Sequence, residues 1–427
     1  MKSLKIFVLL SVLQSMVYSQ SGWFQQNSGT NKIMNSCFFL NDFTGYVVGD
    51  LGVILKTTNG GTNWNNIYNQ VIYDAISVSF LNNNTGWIYI ENNTNLDSTF
   101  VLKTINAGIS WNKFFVDTND ATLWFADFQF LNENTGYLAN FISLKKTTNG
   151  GLNWFISFNQ SSSGVFFINN FTGWTGGFGT GIYKTTDEGV TWIQQIGPLY
   201  HQYGTDIHFL NAQTGFFIHG YFGDYGYLYT TANSGINWNQ YNLPYKVTSI
   251  TFANENTGYM LAVYEFGANQ YISKTTNRGL NWIIHNINAP KYHFLKEVFF
   301  SSVNTGWAVG DSGYIYKTTN GGVTIGIQPI GNQIPSKFSL SQNYPNPFNP
   351  VTKIRFDIPA NVKSQKSNVK LVVYNMLGEE VEILVNEELQ PGTYEADFDG
   401  SNLPSGIYFY RLQAGDYTET KKMVLLK

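Results

Sequence analysis

The chain has a single cysteine, Cys37, in 427 residues, so no internal disulfide can form. Cys37 lies beside a predicted inner strand and reads as a small buried apolar residue. Charge is also scarce. Asp, Glu, Lys and Arg make up 12% of the chain and the net charge is −3. Without a broad basic footprint, nucleic-acid binding is excluded. Arginine is nearly missing, with Arg278 the one copy in residues 22–325. No nucleophile elbow, phosphate loop or zinc signature appears, and no cofactor or metal is expected. Beyond the N-terminus no stretch reaches the roughly 18 apolar residues that a membrane-spanning helix needs. Solubility must therefore rest on Asn, Thr, Ser and Gln.

The N-terminus is different. Residues 1–19 carry Lys2 and Lys5, an apolar run Ile6–Leu13, and then Val17-Tyr18-Ser19. A charged start, a short apolar run and a small-residue cleavage site read as a secretory signal peptide.

What the chain has in abundance is periodic. The stretch Lys56-Thr57-Thr58-Asn59-Gly60-Gly61-Thr62-Asn63-Trp64 returns at 103–111, 146–154, 184–192, 230–238 and 274–282. A last copy at 317–325 ends on Ile325 instead of Trp. Upstream of each copy stands a Phe, and six residues later the Gly of a Thr-Gly-aromatic triplet. The pairs run from Phe39 and Gly45 to Phe300 and Gly306.

Each unit reads as four short strands. The Asn/Thr/Gly cluster after the Phe is a turn, because Gly and Asn tolerate positive φ. In the nine-residue stretch, Asn59 is placed to bond the backbone two residues on, with Gly61 left-handed and Trp64 covering the turn. Gly-to-Gly steps of 41, 50, 37, 42, 43 and 48 residues make seven units. Four strands per 40–50 residues, repeated radially, is a β-propeller signature. A β-solenoid is the runner-up, although its coils would be shorter and more uniform. Gly22-Trp23-Phe24-Gln25 looks like a fourth strand with no unit before it. It is expected to complete the seventh blade and remove an open edge.

The nine-residue turn resembles the Asp box, or BNR repeat. This repeat occurs in sialidases, sortilin-type receptors, xyloglucan-active hydrolases and the photosystem II assembly factor family. The combined pattern is most similar to the last of these. In that reading Asn59, Gly61, Trp64, Trp111, Trp154, Trp192, Trp238 and Trp282 are structural. The assembly factors bind through a basic, Arg-rich surface, whereas residues 21–335 here hold 13 Lys and Arg against 17 Asp and Glu. The resemblance thus implies a fold and a protein-binding habit, not the photosystem role.

In a propeller, the turns that are fixed in length here share one face, and the two variable connections share the other. Function is expected on the variable face, around the channel mouth. Its long loops offer Trp124, Tyr221, Phe222, Asp224, Tyr225, Glu265 and Phe266, flat rings with a few carboxylates that suit a glycan or a peptide. His201, Asp206 and His208 suggest a metal only weakly. Asp206 and His208 share a strand face, but no third ligand follows from the spacing.

Sialidase chemistry needs three arginines on the substrate carboxylate, and one arginine in a turn cannot supply them. Xyloglucan-active enzymes work between two propellers, and a single one is read here. Paired carboxylates among Asp97, Asp117, Asp120, Asp224 and Glu265 keep a glycoside hydrolase as the alternative to a non-catalytic binder. A structural surface-layer role is the third reading. A monomer is expected.

Past Gly326 the repeat stops. Residues 326–337 read as a linker. There follow Tyr344-Pro345-Asn346-Pro347-Phe348-Asn349-Pro350, in which the prolines hold the segment extended, and six short strands separated by Gly/Pro turns. These predict a small Ig-like β-sandwich, making the whole chain all-β. The motif, together with Val373-Tyr374-Asn375-Met376-Leu377-Gly378 and the closing Lys422–Lys427, resembles the type A C-terminal sorting domain of type IX secretion. The resemblance covers 338–427. It implies a Bacteroidetes-type bacterium, contact with the type IX machinery, and release or attachment to outer-membrane lipopolysaccharide.

Overall fold

The computed structural model describes residues 22–68, 73–92, 98–118, 126–199, 202–221, 225–264, 269–287, 289–290, 293–322, 334–360, 367–389, 391–400 and 403–427. Residues 1–19, expected to be a signal peptide, and most of the expected linker 326–337 lie outside this set. The chain divides into two compact units, Gly22–Val323 and the C-terminal region from Thr324.

The first unit is a seven-bladed β-propeller of four-stranded antiparallel sheets. Blade one is Met34–Phe39, Gly45–Gly49, Val53–Thr57 and Asn65–Asn66. The first strands of neighbouring blades touch in a complete ring, with Met34–Phe39 against both Tyr73–Phe80 and Leu295–Phe300. The seventh sheet holds Leu295–Phe300, Gly306–Gly310 and Ile315–Thr318, and its outer strand is Phe24–Gln26. There Phe24 pairs with Lys317 and Gln26 with Ile315.

The Thr-Gly glycine has a different cause from the one expected. None of Gly45, Gly86, Gly136, Gly173, Gly215, Gly258 and Gly306 takes positive φ. Each faces the blade's Phe across the ladder, and the Phe ring lies flat on it, where a Cβ would collide. The room made by the missing side chain lets the ring reach the neighbouring blade. Phe39, Phe80, Phe130, Phe167, Phe209, Phe252 and Phe300 stack on Trp307, Tyr46, Trp87, Tyr137, Trp174, Phe216 and Tyr259, with centroids 3.4–4.6 Å apart. Each Phe also meets a Trp of its own blade edge-on, at 5.7–6.2 Å. Such offset and T-shaped pairs add to the area buried. In blade seven, the Trp is Trp23.

The C-terminal unit is a two-sheet sandwich. One sheet is Ser339–Leu340, Val351–Ile358 and Gly392–Asp399. The other is Glu380–Leu389, Ser367–Tyr374, Gly406–Ala414 and Tyr417–Leu425. Alternating residues such as Ile354, Phe356, Leu371, Val373, Tyr410 and Leu412 fill the core between them.

Candidate functional site

One face of the propeller is committed to internal bonding. In all seven Asp boxes the Thr hydroxyl accepts the N–H of the glycine four residues on, as Thr57 does from Gly61, at 2.7–2.9 Å. The Asn or Asp also reaches further than the expected two residues. Asn59 Oδ1 accepts from Asn63 N at 2.9 Å, closing the turn before Trp64. Two consecutive residues are left-handed, Gly60 and Gly61 here, Glu188 and Gly189 in blade four. The turn then docks on the other fixed turn, with Gly60 N donating to Phe43 O at 2.7 Å.

The box lysine leaves its own blade. Lys56 Nζ lies over the Tyr46 ring and donates to Ala107 O of the next blade at 2.8 Å. Lys146, Lys184, Lys274 and Lys317 likewise reach Glu188, Ser234, Gly321 and Gly60 carbonyls at 2.7–3.1 Å. Blade five alone has Thr230 at this place, and its stacked ring is Phe216, which carries no donor. A groove of about 540 Å³ does open on this face, lined by Asn82–Thr85, Lys103, Ile105 and Glu133.

On the variable face, Tyr221 ends the strand Gly215–Tyr221, and Tyr225 follows with 64% of its surface exposed. Trp124, Phe222, Asp224, Glu265 and Phe266 lie outside the described residues, as do Asp97, Asp120 and His201. Asp117 is held by Lys145 at 3.3 Å, and that lysine is nearly buried.

The structure brings together a set that sequence reasoning missed. Asn35 Nδ2 donates to Asp50 Oδ1 at 2.7 Å, and Lys296 Nζ donates to Asn35 Oδ1 at 2.7 Å. Leu51 N donates to Asp74 Oδ1 at 2.8 Å. Burial raises the Asp50 carboxyl above its ordinary value; the Asn35 bond and the Lys296 charge oppose this, and the charges of Asp74 and Asp311 add to it. These groups come from blades seven, one and two. The signal for them was the matching loops Gly49-Asp50-Leu51-Gly52 and Gly310-Asp311-Ser312-Gly313.

Along the axis stand Asp127, Asp206 and Glu297, each three residues before a stacked Phe. Each accepts a backbone N–H of the following blade: Val165 at 3.0 Å, Ile250 at 2.8 Å and Cys37 at 2.9 Å. Burial pushes Asp127 up to about 6 and Glu297 up to about 7, and raises Asp206. His208 lies between Phe166 and Phe252, at 4.9 and 5.3 Å, and burial lowers it to about 4. Among the described residues no three His, Cys, Asp or Glu gather as a metal site.

In the C-terminal unit the proline motif is bent rather than extended throughout. Tyr344 bridges Lys353 and Phe348 bridges Leu425, with a bend at 345–347. Phe348 is buried, and Phe348 N donates to Val424 O at 2.9 Å. Asn346 Oδ1 accepts Val424 N at 3.0 Å. The motif is thus bonded to the last strand.

Residues 342–426 match the secretion system C-terminal sorting domain. No curated protein matches the sequence. Among solved structures, "YCF48 bound to D1 peptide" aligns with a TM-score of 0.53 at 16% identity, over 71% of this chain and 98% of that one. The GH74 xyloglucanase from Xanthomonas campestris aligns at 0.57 and 11% identity, over 79% and 60%. The Niastella koreensis GH74 enzyme aligns at 0.55 and 13%, over 95% and 75%. At such identities the likeness concerns the fold. The chain is a β-propeller carrying a type IX secretion sorting tail, and its place is outside the cell or on the outer surface of a Bacteroidetes-type bacterium.

Proposed function

We propose that the propeller is a non-catalytic binder of an extracellular glycan or protein, engaged through its variable face. The observation that carries this reading is the contrast between the two faces. The Asp-box face spends its box lysines, Thr hydroxyls and Asn side chains on the ring itself and exposes apolar turn residues such as Phe43, Ile109 and Leu280, while on the variable face Tyr225 is offered to solvent. An exposed aromatic suits a sugar face or a peptide. The YCF48 structure was solved with a peptide, which supports a propeller of this shape as a protein binder.

In this reading residues 1–19 direct inner-membrane export and are removed. Residues 20–325 form the propeller, 326–337 the linker and 338–427 the sorting tail. The mature protein is a monomer, released or attached to lipopolysaccharide.

A glycan array with the secreted chain, run beside a reducing-sugar assay, tests the proposal. Binding without sugar release, lost in Tyr225→Ala, Tyr221→Ala or Trp124→Ala, is the expected result. Asp50 favours a second reading, a glycoside hydrolase, because burial and the charges of Asp74 and Asp311 raise its carboxyl against the Asn35 bond and the Lys296 charge. Sugar release abolished by Asp50→Asn would replace the binding proposal with that one.

A further inference from the structure

We propose that the turn Asn375–Glu379 of the sorting tail is a docking knob. It inserts Met376 and Leu377 into an apolar cleft on an outer-membrane component of the export machinery. This rests on the tail being an export signal, and adds where the tail is gripped.

Three observations converge. The first is exposure: Met376 is 69% and Leu377 83% exposed, at the tip of a tight turn where small polar residues are usual.

The second is rigidity. Asn375 Oδ1 accepts from Leu377 N at 2.9 Å and Glu379 N at 3.0 Å, and Asn375 Nδ2 donates to Glu379 Oε2 at 2.7 Å. Asn375 N donates to Glu379 O at 3.0 Å, and Gly378 N donates to Asn375 O at 3.1 Å, with Gly378 left-handed. The two apolar side chains are therefore presented by a backbone already ordered, so docking loses little backbone entropy.

The third is position. Tyr374 pairs with Phe409 and Gly406 with Leu425, so the knob shares one end of the sandwich with the end of the last strand. Phe348 of the proline motif lies there too, accepting Leu426 N at 2.9 Å. Among the described residues beyond 338, the exposed large apolar ones are Tyr344, Val351, Met376, Leu377 and Leu426. All lie at or next to this end. Among the described residues the opposite end, at the turn Ala414–Tyr417, presents none. An apolar cluster on one end of a small domain marks an interaction site. Glu379 is bonded to Asn375 at 2.7 Å and Glu380 is paired with Lys370 at 3.3 Å, so the charges beside the knob are met within the domain and the contact it offers is apolar.

The test is export of the full chain from a host with type IX secretion. Met376→Ser with Leu377→Ser should lower the secreted fraction at least about tenfold, the change that 1.4 kcal/mol of docking produces. The thermal unfolding of the variant should match the parent. Met376→Leu with Leu377→Met should restore export. A photo-reactive phenylalanine at position 377 should give one adduct with an outer-membrane protein. Export of the Ser/Ser variant at the parental rate would overturn the proposal, as would adducts only with lipid or with a second copy of this chain. A chain ending at residue 337 separates the two ideas. If it is still exported, the reading of the tail fails. If it is retained while the Ser/Ser variant leaves the cell, only the knob fails.

Discussion

Trp23 stands edge-on to Phe300, with ring centroids 5.7 Å apart and planes at 88°. This is the relationship of Trp64 to Phe39 at 6.0 Å and 84°, or of Trp154 to Phe130 at 6.0 Å and 84°. In those blades the partners lie in one sheet segment close in sequence. In blade seven they come from opposite ends of the ring. Trp23 also covers Gly322, the last glycine of the Trp-less box. The closure is thus made both by backbone pairing and by one aromatic contact.

Trp23→Ala should cost the propeller about 3–5 kcal/mol, the range for emptying a buried Trp site. Deleting residues 21–27 should cost more, because the strand Phe24–Gln26 goes as well. Thermal unfolding checks both. An unchanged midpoint for the deletion would show that the ring does not depend on its N-terminal strand.

The glycine under each Phe predicts a paired result. Gly136→Ala puts a methyl group into the Phe130 ring and should destabilise by about 1–3 kcal/mol through overpacking. Gly197→Ala meets nothing within 4 Å and should be close to neutral. Urea titration of the two variants distinguishes this account from a general intolerance of alanine for glycine.

The seam after blade five lacks the stitches that the other blades use. Phe216→Tyr combined with Thr230→Lys would supply a hydroxyl and an ammonium in the geometry of Tyr137 and Lys146, which both reach Glu188 O at 2.7 Å. The acceptor would be the Arg278 carbonyl. Stabilisation of about 0.5–1.5 kcal/mol per bond is expected. Hydrogen exchange should show the parent opening first at this seam, and the variant should slow it.

Stability should depend on pH in two opposed windows. Asp127 and Glu297 have folded values of about 6 and about 7, above the unfolded values near 4. The folded state therefore holds their protons more tightly. Their contribution is fully present below about pH 4 and is lost as pH rises through 6 to 7. Asp187 is opposite. Hydrogen bonds from the Thr191 hydroxyl and backbone hold it at about 2, so its contribution is present above about pH 4 and is lost as pH falls towards 2. Melting temperatures should fall between about pH 4 and 7, and Asp127→Asn with Glu297→Gln should flatten that slope. A flat parental profile would show the axial acids ionised in the fold as in the open chain.

By itself the sequence determined the repeat, its number and the all-β class. The spacings from Phe to Gly and from Lys to Trp are local, and local turns and strands impose them on the chain directly. The tail was legible for the same reason, since its strand-and-turn pattern alternates on the period of a sheet. The cause of the Thr-Gly glycine was not legible. It is removed side-chain volume, not backbone angle, and only the register of Phe39 against Gly45 and the stack on Trp307 reveal that. The grouping of Asn35, Asp50, Asp74 and Lys296 was equally hidden, because closing the ring brings residue 296 beside residue 35. Local bonding can be read along the chain. What meets across blades depends on ring closure, and tertiary structure alone decided it.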